Sequence, residues 1–155
     1  MGLREAKVLD GPERDRLWQA RGTVGHDAFA ETAATMRWAV LPSQVAECME
    51  QGAGVAQRAG LGAAMAAHAG VGLVDAALGG GAAVDLDRVA AVLGEWRTLV
   101  RGADGHAVVQ WAPLAVKERV PVWDDAGPAL RIMERIKAQL DPRGVLNPGR
   151  VVGGI

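Results

Sequence analysis

The sequence predicts an α+β fold: an antiparallel sheet with helices packed on one of its faces. Three observations carry that expectation. TMRWAVL and HAVVQWAP alternate their side chains with the period of two of a strand. The stretches Gln44 to Ala59 and Asp85 to Arg101 instead repeat apolar residues at helical spacing. The segments also follow one another as strand, helix, strand or strand pair, helix, strand, helix, an order that antiparallel pairing satisfies economically.

Each element has its own justification. GPERDRLWQAR reads as a short helix with Trp18 on its packed side, and GTVGHDAFAETA as a connector holding Phe29, the sole phenylalanine. In TMRWAVL the residues Met36, Trp38 and Val40 share one face of a strand, which Pro42-Ser43 ends. Ser43 is a plausible N-cap for a helix over 44–59, with Val45, Cys48, Met49 and Val55 or Ala56 along its stripe. Gly60 ends that helix. Leu61 to Leu78 reads as two strands or one bent one, with Gly70 and Gly72 marking a bulge or a close backbone approach. GGGAA is a loop. Asp85 then caps a helix carrying Val89, Val92, Leu93, Trp96, Leu99 and Val100 on its apolar side, with Arg97 and Arg101 near the negative end of its dipole. After the turn GADG, HAVVQWAP places Val109 and Trp111 on one face and Val108 and Gln110 on the other. Asp125 and Pro128 open a last helix that is expected to bury Leu130, Met133, Ile136 and Leu140, and Asp141-Pro142 closes it. This order resembles the ferredoxin-like split βαβ. Residues 1–34 would form an N-terminal helix and connector, and 35–155 the main domain.

Composition narrows the function. At 155 residues the chain fits one domain; half its residues are apolar and 23% are charged, as in ordinary soluble proteins. The net charge is −1 with acids and bases interspersed, which argues against nucleic acid or anionic lipid as partners. A single cysteine, Cys48, permits no internal disulfide and suits a reducing compartment. The charged start MGLREAKVLD is no signal peptide, and the run 61–84 is interrupted by His68, Asp75 and many glycines, so no membrane span is expected. The expected location is cytoplasmic, or membrane-peripheral through partners.

Few residues announce chemistry. GAGVAQRAG has neither the GxGxxG spacing nor a GK[ST], and it falls inside a helix, so it is packing rather than a phosphate loop. Trp38, Trp96 and Trp111 fall on apolar stripes and read as core. Trp123, within VPVWDD, is the one tryptophan to watch as a cleft or interface residue, with packing ranked ahead. His68 sits alone between apolar runs. Cys48 lies on a helix stripe and reads as inert packing. The tail DPRGVLNPGR is dense in turn formers. Gly144 gives a permissive backbone, Val145 and Leu146 would pin the segment to the core, and Pro148-Gly149 fits the centre of a type II turn that aims Arg150. The tail is therefore either a C-terminal clamp or a bracket that points Asn147 and Arg150 at a bound group.

RIMERIKAQLDPRGVLNPGR, together with VWDDAGPALRIM, TMRWAVLPS and the HAG stretch, closely resembles the C-terminus of FAD-linked oxidases of the vanillyl-alcohol-oxidase class. Within that class the likeness is to the flavin subunit of bacterial glycolate oxidase, and it spans about Thr35 to Ile155. The resemblance implies a cap domain over a flavin whose FAD is held mainly by an upstream module. It further implies a second flavin subunit and an iron–sulfur subunit as partners, and an isolated chain that is inactive. Asn147 and Arg150 are the implied cofactor contacts. Related 2-hydroxy-acid dehydrogenases carry HxGDGNxH and EHGxGxxK, which supply metal and substrate ligands. Here the first pattern keeps His68, Gly70 and Gly72 but has Val71, Leu73 and Asp75 in place of its aspartate, asparagine and second histidine. The second keeps only Lys117, with Gln110 and Trp111 where the glutamate and histidine would stand. His68 and Lys117 are thus the catalytic candidates, and no catalytic metal is expected. The rival from another class is a ferredoxin-like interaction or ligand-sensing module without redox activity.

Overall fold

The computed structural model describes residues 8–22, 28–29, 31–79 and 84–155; most of the expected GGGAA loop and part of the connector lie outside them. Helix α1 (Gly11–Gly22) comes first, followed by β1 (Thr32–Ala39), α2 (Val45–Arg58), β2 (Gly62–His68), β3 (Leu73–Gly79), α3 (Leu86–Gly102), β4 (His106–Trp111), α4 (Leu114–Lys117) and α5 (Leu130–Leu140). The sheet order is β2-β3-β1-β4 with every neighbouring pair antiparallel. Two βα units thus interleave their strands, which is the ferredoxin-like arrangement.

The alternation in β1 decides which face the helices cover. Met36 and Trp38 point into the core with Val74, Ala76 and Leu78 of β3, against Val45, Cys48 and Ala56 of α2 and Val89, Val92, Leu93, Trp96 and Val100 of α3. Each fully buried large side chain among these contributes about 1.5–3 kcal/mol. Trp38 and Trp96 meet edge to face, with ring centroids 5.1 Å apart. The Trp96 indole N–H donates to the Gly52 carbonyl at 2.8 Å. A Cβ on Gly52 would lie 2.5 Å from Trp38 Cη2. Of the glycines in GAGVAQRAG, Gly52 therefore serves packing inside α2, whereas Gly54 faces only Arg58 and Gly60, at φ +72, lies just past the helix. The Asp85 carboxylate caps α3, accepting the Asp87 N–H at 2.9 Å. Gly72, at φ +70, lets the β2–β3 turn touch β1: the Val40 N–H donates to its carbonyl at 2.9 Å, and a Cβ there would fall 1.8 Å from the Val40 oxygen. Gly70 has open space around it. Phe29 lies over the paired glycines Gly62 and Gly79, filling the gap they leave on the face away from the helices.

Several expectations are corrected. Ser43 lies inside a 3-10 turn, Pro42–Gln44, and α2 starts after it with no side-chain cap. Trp18 is 58% exposed. Its neighbours Glu13, Arg14, Asp15 and Arg16 are charged, so α1 has no apolar stripe for it to join. Trp111 is 40% exposed rather than core. A register shift on β4 pairs Met36 with Val109 but Thr35 with Trp111, so the extra residue turns Trp111 away from Val109's face. In α5 no residue is buried: Leu130 is half-covered, Leu140 is 77% exposed, and Met133 and Ile136 are also open. Val145 and Leu146 are likewise exposed and do not pin the tail to the core.

Candidate functional site

The site is built from the irregular chain after α4. The Val109 N–H of β4 donates to the Val122 carbonyl at 2.9 Å, so residues around 122 extend the sheet's outer edge. Arg97 holds residues 121–124 in place. It lies on the same side of α3 as Leu93, Trp96 and Val100, and it is only 8% exposed. Its guanidinium donates to the Trp123 carbonyl at 2.7 Å, to Asp124 Oδ1 at 2.8 Å and to the Pro121 carbonyl. The other Asp124 oxygen accepts the Ala107 N–H at 2.6 Å, and Arg101 stands 3.6 Å from the carboxylate. The two terminal nitrogens of a buried cation thus receive a multi-point partner set, while Nε is buried with no partner among the described residues. Arg97 is a clamp between α3, β4 and residues 121–124, beyond the helix-dipole role expected for it.

The clamp presents Trp123 to the tail. Its indole N–H donates to the Arg150 carbonyl at 3.1 Å, and its side chain is 42% exposed. Trp123 is therefore a cleft residue. The tail is ordered by its own aspartate instead of by Val145 and Leu146. Asp141 Oδ1 accepts the Val145 N–H at 3.0 Å, while Oδ2 accepts the Leu146 N–H at 2.9 Å and the Lys137 ammonium at 2.7 Å. The Lys137 hydrogen bond, then the backbone N–H groups, hold the Asp141 carboxyl down to about 2. The expected turn is present: the Arg150 N–H donates to the Asn147 carbonyl at 3.1 Å, with Gly144 at φ +62 and Gly149 at φ +71. Asn147 itself adopts φ +47, which asparagine tolerates better than most residues.

Between β4, α4 and this turn lies a cleft of about 660 Å³, walled by Val108, Gln110, Lys117, Val122, Trp123, Gly149 and Arg150. Lys117 and Arg150, far apart in sequence, meet here with Gln110. Asn147 is not part of the lining. His68 sits half-buried on β2, the far edge strand, three strand spacings (about 14 Å) from β4 and farther still from the cleft beside it. Its Nε2 is buried with no partner among the described residues. Asp75, at another position of the metal pattern, is taken by Arg37 at 2.7 Å. Among the described residues no three His, Cys, Asp or Glu side chains gather in a metal-binding group, and none of the helices is long and apolar enough to cross a membrane. Arg97 is the functional residue that the sequence reading missed. The signal was available, because a charged residue one position past Trp96 and four past Leu93 sits within an apolar stripe and needs buried partners.

Residues 122–151 match the family model described as FAD linked oxidases, C-terminal domain. The matched stretch begins at the clamped segment and ends just past Arg150, so it encloses Trp123, Asp141, Asn147 and the turn. No curated protein matches the chain.

Proposed function

We propose that this chain is the cap domain of an FAD-dependent oxidoreductase subunit of the glycolate oxidase, 2-hydroxy-acid-oxidising type, set over a flavin that a separate module holds. The observation that carries the reading is the coincidence of the match over 122–151 with the residues that shape one wall of the cleft. The described residues fit one part of FAD and not the rest. Lys117 and Arg150 beside the Trp123 indole suit the polar edge of a planar ring that gains negative charge. For the pyrophosphate there is no comparable cradle among the described residues: in the glycine-rich stretch of α2, Gly52 is covered by Trp38 and its carbonyl is taken by the Trp96 indole.

Bound flavin would supply the redox chemistry. This chain's share is placement. The Asn147–Arg150 turn fixes the direction in which Arg150 leaves the backbone, and Trp123 holds that backbone through its carbonyl. The apolar stripe of α5 (Ile132, Met133, Ile136 and Leu140), exposed along one side of the helix, is the kind of surface that a neighbouring module covers. A second flavin subunit and an iron–sulfur subunit complete the proposed assembly. The test is reconstitution of the chain with an FAD-binding module of an FAD-linked oxidase, sought immediately upstream or in a neighbouring reading frame. Flavin retained through gel filtration by the pair, and not by this chain alone, supports the reading. Stoichiometric flavin on the chain alone, or a pair that never associates, refutes it and favours an interaction module.

A further inference from the structure

We infer that the cleft between β4, α4 and the tail turn binds a doubly charged organic anion, of phosphate-monoester or dicarboxylate chemistry. This goes beyond the flavin reading and holds for the chain by itself. The first argument is charge. Among the described residues Lys117 and Arg150 line the cleft, no aspartate or glutamate does, and neither cation has an ion pair. Of the carboxylates next along the chain from the wall, Asp124 is turned away and engaged by Arg97 and the Ala107 N–H, and the exposed Glu118 does not line the cleft. Two cations with no acid are neutralised by a dianion, and a single carboxylate would leave one charge unmatched.

The second argument is shape. A cleft of about 660 Å³ is far roomier than a bare ion needs, and it falls in the range that organic ligands occupy. Val108, Val122 and the half-exposed Trp123 ring line it beside the cations, so the ligand carries an apolar body against them. Gln110 adds a neutral donor and acceptor. The third argument is preorganisation. Trp123 is tied through its own carbonyl to Arg97 and through its indole to Arg150, and the Asn147–Arg150 turn is closed before any ligand arrives. The backbone of this wall is therefore set before binding, and the ordering that remains is that of the exposed Lys117 and Arg150 side chains. The Arg150 guanidinium has five N–H donors on a planar fork, enough to serve this ligand and a ring edge beyond it.

The experiment is calorimetric titration of the full chain, with no flavin present, using phenyl phosphate, glutarate, inorganic phosphate and acetate. Saturable binding of phenyl phosphate, of glutarate, or of both is expected, and whichever binds identifies the source of the two charges. Lys117→Met and Arg150→Met should each weaken that binding by about tenfold or more, the effect of losing one charge-assisted contact. Both positions are exposed, so their melting temperatures should stay close to that of the parent chain. Trp123→Phe should weaken phenyl phosphate more than inorganic phosphate. The inference is overturned if neither organic dianion binds, if acetate binds as tightly as they do, or if both methionine variants bind unchanged.

Discussion

Replacing Arg97 by methionine should destabilise the domain far more than a change at an exposed arginine would. The substitution keeps an apolar stem of similar reach and removes the guanidinium. Three acceptors lose their donor: the Trp123 carbonyl, the Pro121 carbonyl and Asp124 Oδ1. The Arg97 and Asp124 side chains are only 10% and 11% exposed, so water does not replace what is lost. Breaking a buried pair by removing one partner costs about 3–5 kcal/mol. Asp124 keeps the Ala107 N–H and has Arg101 3.6 Å away, which offsets part of that penalty. The net loss should be about 2–4 kcal/mol, a fall in melting temperature of about 5–15 °C for a chain of this size. Circular dichroism during heating measures it, with near-ultraviolet signal reporting the release of Trp123. Arg101→Met is the control, since that side chain is 64% exposed and its pairing should be worth under about 1 kcal/mol. If Arg97→Met melts within about 2 °C of the parent chain, the clamp is not what holds residues 121–124 in place.

Three further outcomes rest on named contacts. Gly52→Ala should destabilise in urea despite alanine's helix propensity, because its Cβ would meet Trp38 Cη2 at 2.5 Å; Gly54→Ala, whose nearest neighbour would be Arg58 Nη1 at 3.5 Å, should gain up to about 1 kcal/mol. Asp141 has its carboxyl lowered from 3.8 to about 2 by Lys137 and the Leu146 and Val145 N–H groups, so its contribution is complete above its unfolded value and lost as pH falls through about 2. Amide shifts of Val145 and Leu146 should titrate with that low midpoint, and a midpoint at the ordinary aspartate value would contradict the tail geometry. Ile136→Ser on the exposed stripe of α5 should leave the stability of the isolated chain within about 0.5 kcal/mol while weakening association with the proposed flavin module; a large loss of stability would show that the stripe is buried within this chain.

The regular part of the fold was legible because one face of each element is buried. Met36 and Trp38 at a spacing of two, and Val89, Val92, Leu93, Trp96 and Val100 at helical spacing, leave one way to shut apolar surface from water. The failures share a physical cause. Periodicity shows that an element has an apolar face and not what covers it, so α5 carries a good stripe that this chain leaves open. It also assumes an unbroken ladder, and one extra residue on β4 moved Trp111 to the other face. Within the candidate site, the turn Asn147–Arg150 was readable because Pro148-Gly149 restricts the backbone directly. The approach of Lys117 and Gln110 to Arg150 was not, since it depends on Arg97 and Trp123 folding residues 121–124 back across β4.

The central claim is that the tail faces a flavin, and Arg150→Met in the reconstituted assembly tests it most directly. The substitution removes a cation from an exposed side chain whose backbone stays held by Trp123 and Asn147. The account predicts that the melting temperature of this domain barely moves, while flavin affinity or its reduction potential in the assembly shifts clearly. Flavin properties unchanged, together with a collapse in the stability of the isolated domain, would show instead that the tail is a structural clamp and that no cofactor lies against it.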